Sequence, residues 1–124
     1  LGPLHPTTAQ DRIALAQTLI AMGDTVAAER QLREATRVMT STTGKTSQLS
    51  SYARASLGNH LINTGAVAEG EALLKSVIKI ETDKGRDEQP TMVTPLVSMA
   101  TLALKSDQPE KAIELLKQAK AIIE

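Results

Sequence analysis

Leu15-Ala16-Gln17-Thr18-Leu19-Ile20-Ala21-Met22-Gly23 returns further along the chain as Leu57-Gly58-Asn59-His60-Leu61-Ile62-Asn63-Thr64-Gly65. Gly23 and Gly65 are 42 positions apart, and Met99-Ala100-Thr101-Leu102-Ala103-Leu104-Lys105-Ser106-Asp107 follows at the same interval. A repeat of this length is one supersecondary unit that cannot bury its apolar face alone, so copies stack. The sequence therefore predicts an all-α solenoid of three antiparallel helix–turn–helix repeats, spanning about 7–47, 48–89 and 90–124.

Outward from the repeated stretch, six helices are expected. The first runs from about Thr8 to Met22, with Thr8 and Asp11 spaced as a capping box. Gly23-Asp24 ends it, and Asp24 caps a second helix over Thr25 to Thr40. The hydroxyl-rich stretch 40–47 reads as a loop. Helices over Gln48–Thr64 and Val67–Lys84 follow, then the loop Gly85–Gln89. A fifth helix opens either at Pro90 or with Thr94 as cap and Pro95 at its first position. It closes near Ser106. The sixth spans Pro109–Ile123 behind Asp107 or Gln108.

Apolar and small residues recur in register. Ala28-Leu32-Ala35-Met39, Gly70-Leu74-Val77-Glu81 and Ala112-Leu116-Ala119-Ile123 occupy matching places on the second helices. Ala16, Gly58 and Ala100 face them from the first helices, with Leu15, Leu57 and Met99 beside them. Helical spacing assigns all of these to packing.

Composition bounds the function. The 124 residues suit one domain and are 41% apolar, with Tyr52 the one aromatic. Lys and Arg balance Asp and Glu at 14 each, so no net charge draws the chain to nucleic acid or an anionic membrane. Without cysteine there are no disulfides, thiol nucleophiles or Cys-based zinc sites. No apolar run reaches bilayer length. The expected compartment is the cytoplasm, with the periplasm as an alternative, and the chain reads as a piece of a larger protein. Gly44-Lys45-Thr46 lacks the earlier glycine and the strand of a phosphate loop. His60 has no partner at ligand spacing. Asp11, Glu29, Asp83 and Glu88 read as solvated charges. Arg30, Arg33 and Arg37 are interspersed with Glu29 and Glu34. No catalytic residue, metal site or cofactor is expected.

The repeated residues resemble the tetratricopeptide repeat family. Leu57-Gly58 with Gly65 and Gly70 matches its unit, as does Leu15-Ala16 with Gly23-Asp24 and Ala28. Residues 107–119 resemble its second helix. The 42-residue period and Leu1-Gly2-Pro3-Leu4-His5-Pro6 resemble kinesin-light-chain-like repeats and their inter-repeat loop. The resemblance departs at the family's aromatic positions, here Leu19, Leu61, Ala103, Leu32, Leu74 and Leu116. It implies a protein–protein interaction module, a scaffold or the sensing arm of a larger regulator, binding a peptide or protein segment in a concave groove lined by the first helices.

The first helices carry a second stripe that would line such a groove: Ile13, Gln17, Ile20; Ala55, Asn59, Ile62; Val97, Thr101, Leu104. Ala21, Asn63 and Lys105 lie one step beyond. Amides and hydroxyls in the middle column can bond a ligand backbone, while the apolar columns accept its side chains. The plainer reading is a solvated or partly packed helix face. Tyr52 reads equally as an anchor at the groove mouth or as a packed aromatic. The alternative to peptide binding is self-association through exposed terminal helices, with a second copy as partner.

Overall fold

The computed structural model describes residues 6–124, with side chains from Thr8 onward. Turns of one design divide its helices into pairs. After α1 (Pro6–Ala21), α3 (Gln48–Asn63) and α5 (Val93–Lys105), the chain turns back through Gly23, Gly65 and Asp107, at φ of 84°, 101° and 58°. The amide that follows each donates across the turn: Asp24 to the Leu19 carbonyl, Ala66 to Leu61 and Gln108 to Ala103, at 2.9, 2.8 and 2.8 Å. These bonds satisfy carbonyls left orphaned at the helix ends and require a left-handed residue, which glycine and, less readily, aspartate adopt. The returning helices are α2 (Thr25–Thr43), α4 (Val67–Asp83) and α6 (Pro109–Ile123). Asp24 caps α2 by accepting from the Ala27 amide at 3.2 Å.

Several boundaries differ from the sequence expectation. α1 already runs from Pro6, so Thr8 lies inside the helix and does not cap it; proline's fixed φ suits a first helical turn. The resemblance of residues 1–5 to an inter-repeat loop, His5 included, lies outside the described residues. α2 continues to Thr43, and the Thr42 and Thr43 hydroxyls bond back to the Val38 and Met39 carbonyls at 2.8 and 2.6 Å. Pro90 opens a 3₁₀ turn, Pro90–Met92, that leads into α5. Pro95 is the third residue of α5, so Thr94 is not its cap. Gln108 takes the cap position of α6, while Asp107 takes the left-handed one.

Small residues set the helix separations. Ala16, Ala28, Gly58, Gly70, Ala100 and Ala112 are all buried. The approach is tightest between α3 and α4, where a Cβ on Gly70 would lie 2.7 Å from the Gly58 carbonyl oxygen and 2.7 Å from Ile62 Cγ1. Gly70→Ala is expected to cost about 1–3 kcal/mol from overpacking, even though alanine is the better helix former by about 1 kcal/mol. Gly58→Ala meets mainly the yielding Leu74 side chain and costs less. Thermal denaturation of both variants checks the order.

The apolar core falls into clusters, and the two largest each reach from one helix pair into the next. Ala9, Ile13, Ala16, Ala28, Leu32, Ala35, Val38 and Met39 of the first pair join Ala53, Leu57 and Leu61 of α3. Ala55, Ile62, Leu74 and Val77 of the second pair join Met99 and Leu102 of α5. α2 and α4 are thus each shared between their own partner and the next first helix. Three residues expected to pack do not. Leu15 and Leu116 are 47% and 42% exposed, whereas Leu57, Leu32 and Leu74, their counterparts, are 4%, 1% and 0% exposed. A neighbouring repeat covers the interior positions, and among the described residues none covers these two. Ile123 is likewise open.

Glu81 breaks the apolar pattern from inside. It is fully buried in the place that Met39 fills one repeat earlier. Ser51 Oγ donates to Glu81 Oε1 at 2.6 Å, and Arg86 donates to both carboxylate oxygens at 2.8 Å. Arg86 also donates to the Thr46 carbonyl at 2.7 Å. This network ties the loop that enters the second helix pair to the loop that leaves it.

Candidate functional site

The first helices need little polarity for packing, so their remaining polar groups are the ones to locate. Gln17, Asn63, Thr101 and Lys105 are exposed, as are the apolar Ile20, Leu104 and Tyr52. Asn59 is half-buried. Three residues expected in the groove are core instead. Ile13 is 1% exposed and packs with α2 and α3; Ile62 is 5% exposed and packs against α4 and α5. Ala55 is buried with Ile62. An interior first helix is flanked by its own partner and by adjoining repeats, so its open stripe is narrower than helical spacing alone implies.

The middle column is also less free than its residue types suggest. Ser98 Oγ donates to Asn59 Oδ1 at 2.6 Å, linking α5 to α3. The Asn59 carbonyl oxygen is thereby committed to holding neighbouring repeats together, and its amide group remains for a ligand. Thr101 Oγ1 bonds its own Val97 carbonyl at 3.1 Å. Among the described residues, Gln17 and Asn63 make no such bond. Lys105, in the last turn of α5, supplies the one charge among these stripe residues. Ser98 went unnoticed in the sequence because it lies outside the repeat columns; its place one turn from Thr101 was the available signal.

Several other polar residues are structural. His60 is buried, and its Nε2 lies 3.2 Å from the Thr25 carbonyl, joining α3 to the start of α2. Arg33 forms a two-pronged pair with Glu69 at 2.7 and 2.8 Å and also holds Glu29, so α2 and α4 are cross-linked at the surface. Arg37 pairs with Glu34. Among the described residues no three potential metal ligands cluster. No helix there is long and apolar enough to cross a membrane.

No model of a known protein family matches the chain, and no curated protein matches it. Among solved structures, the chain is similar to a Podosopora anserina protein described as a kinesin light chain with nearly identical TPR-like repeats. The TM-score is 0.82 and the sequence identity 24%, over 95% of this chain and 56% of that one. The chain thus spans a little over half the length of the structure it matches. With matching turns, small-residue contacts and a core shared from pair to pair, the chain has the fold of a TPR-like repeat array.

Proposed function

We propose that the chain is a protein–protein interaction module, not an enzyme, and that it takes an extended or helical segment along the face formed by α1, α3 and α5. Folds of this type generally serve protein–protein interaction. The observation that carries the reading is the set of exposed residues on successive first helices. Gln17, Asn63, Thr101 and Lys105 offer hydrogen-bonding groups, and Ile20 and Leu104 offer apolar contact beside them. Uncharged amides bind a ligand main chain with little demand on its side chains. In the cell such a module would be a scaffold or the regulatory arm of a larger protein.

The test begins with random dodecapeptides displayed on phage and selected on the whole chain. The strongest sequence is then titrated as a labelled peptide. Gln17→Ala combined with Asn63→Ala is expected to weaken binding at least about tenfold, or ~1.4 kcal/mol. Unchanged affinity would remove the groove assignment. Asn59→Ala is less informative, because it also severs the Ser98 bond.

A second reading, end-to-end stacking of copies, rests on the terminal faces. Leu116, Leu104 and Val97 are 42%, 57% and 41% exposed, where Leu74, Ile62 and Ala55 one repeat earlier are 0%, 5% and 3% exposed. Leu15 presents the complementary opening at the other end. Sedimentation over a concentration series is expected to show rising mass that Leu116→Glu abolishes. A constant monomer mass for the unaltered chain rejects stacking.

A further inference from the structure

A cleft of about 620 Å³ opens between the C-terminal turns of α4 and α6 and the loop before α5. It is separate from the face of the first helices. Its volume is within the ~300–1,000 Å³ span of ligand-binding clefts. Ile78, Met92, Leu96 and Ile122 supply apolar lining, and Asp87 and Glu88 stand beside them. Both acids are exposed and neither forms an ion pair or hydrogen bond among the described residues.

The surroundings add negative potential without adding a counter-ion. Thr82, also in the lining, belongs to the last turn of α4, the negative end of that helix's dipole. Of the nearby cations, Arg86 is committed to Glu81 and Thr46, Lys79 to Asp83 and Lys120 to Glu124. Lys84 is in the same loop but outside the lining.

The repeat itself shows that this chemistry is particular to the second junction. One period earlier, the positions of Ile78, Met92 and Leu96 hold Thr36, Ser50 and Arg54, and those of Asp87 and Ala121 hold Lys45 and Lys79. There Arg86 spans from one loop to the Thr46 carbonyl of the other. At the second junction Ile123 stands in the place of Glu81, and apolar and acidic side chains replace hydroxyls and bases.

We propose that this cleft binds a short protein segment bearing aliphatic side chains flanked by Arg or Lys. The aliphatic groups cover Ile78, Met92 and Leu96, and the basic groups meet Asp87, Glu88 and the end of α4.

The experiment is an amide-resolved NMR titration of the whole chain with three capped tetrapeptides: Arg-Leu-Leu-Arg, Glu-Leu-Leu-Glu and Arg-Gly-Gly-Arg. Arg-Leu-Leu-Arg is expected to saturate, with shifts centred on Ile78, Thr82, Asp87, Glu88 and Ile122, and the other two to bind at least roughly tenfold more weakly. Asp87→Lys with Glu88→Lys, both at exposed loop positions, is expected to weaken Arg-Leu-Leu-Arg by a similar factor. Failure to saturate, equal binding of the three peptides, or indifference to the charge reversal would overturn the proposal. Shifts centred on Gln17, Asn63 and Lys105 would overturn it while supporting the groove. Concentration-dependent shifts at the cleft before any peptide is added would overturn it in favour of packing between copies.

Discussion

Arg86→Met is expected to lower stability by about 3–5 kcal/mol, the cost of leaving a buried charge without its partner. Glu81 has no solvent exposure to fall back on, while the Arg86 side chain is 26% exposed. Without Arg86 the carboxylate keeps only the Ser51 hydroxyl. Adding Glu81→Met should recover most of the loss, because an apolar pair can replace a buried ion pair at little cost and Met39 fills the matching place one repeat earlier. Urea midpoints of the wild type, the single variant and the double variant decide this; a double variant no more stable than Arg86→Met alone contradicts it. Acid should report the same network. Burial pushes the Glu81 pKa up, but the hydrogen bonds from Arg86 and Ser51 and the Arg86 charge outweigh it and hold the group below its ordinary value of 4.5. A carboxyl whose pKa is depressed by folding contributes its full stabilisation above the unfolded-state value and loses it as pH falls through the folded one. The wild type should therefore lose stability below the usual carboxylate range more steeply than the double variant. Parallel pH profiles would contradict that.

Leu74→Ala is the second large effect, at about 2–5 kcal/mol from lost burial and the cavity left behind. Leu74 is 0% exposed and packs with Ala55, Ile62, Val77, Met99 and Leu102, so its removal loosens the second pair and its junction with α5 together. Leu32→Ala, at 1% exposure in the first cluster, should cost a comparable amount. Leu116→Ala, in the same column but 42% exposed, should cost under about 1 kcal/mol, because water already reaches much of the side chain. Denaturant unfolding of the three variants tests whether burial, not residue type, sets the scale. Equal losses at all three positions would refute the assignment.

The repeated stretch made the helix pairs and their turns readable, because left-handed Gly23 and Gly65 and the small residues facing one another are local and periodic signals. What escaped was anything depending on what lies across a junction. Leu15 and Leu57 are identical in type and opposite in exposure. Ile13 and Ile62 share a stripe with Gln17 and Asn59 but are turned into the core by neighbouring helices. Asn59 reads in the sequence as a ligand-facing amide, but Ser98, 39 residues away, is bonded to it. Glu81 gave a signal, a charge in an apolar column, but its partners lie in two loops and a helix start that no spacing rule connects.

Arg86 reaches a main-chain oxygen at Thr46, not its side chain, so the identity of residue 46 is free to vary while Glu81 and Arg86 must change together. The same bond fixes what can be moved as a piece. The helices of the middle repeat, 48–83, excised alone would leave Glu81 buried without its cation. A cassette for transplantation into another array must carry both loops, from Thr46 through Arg86 at least.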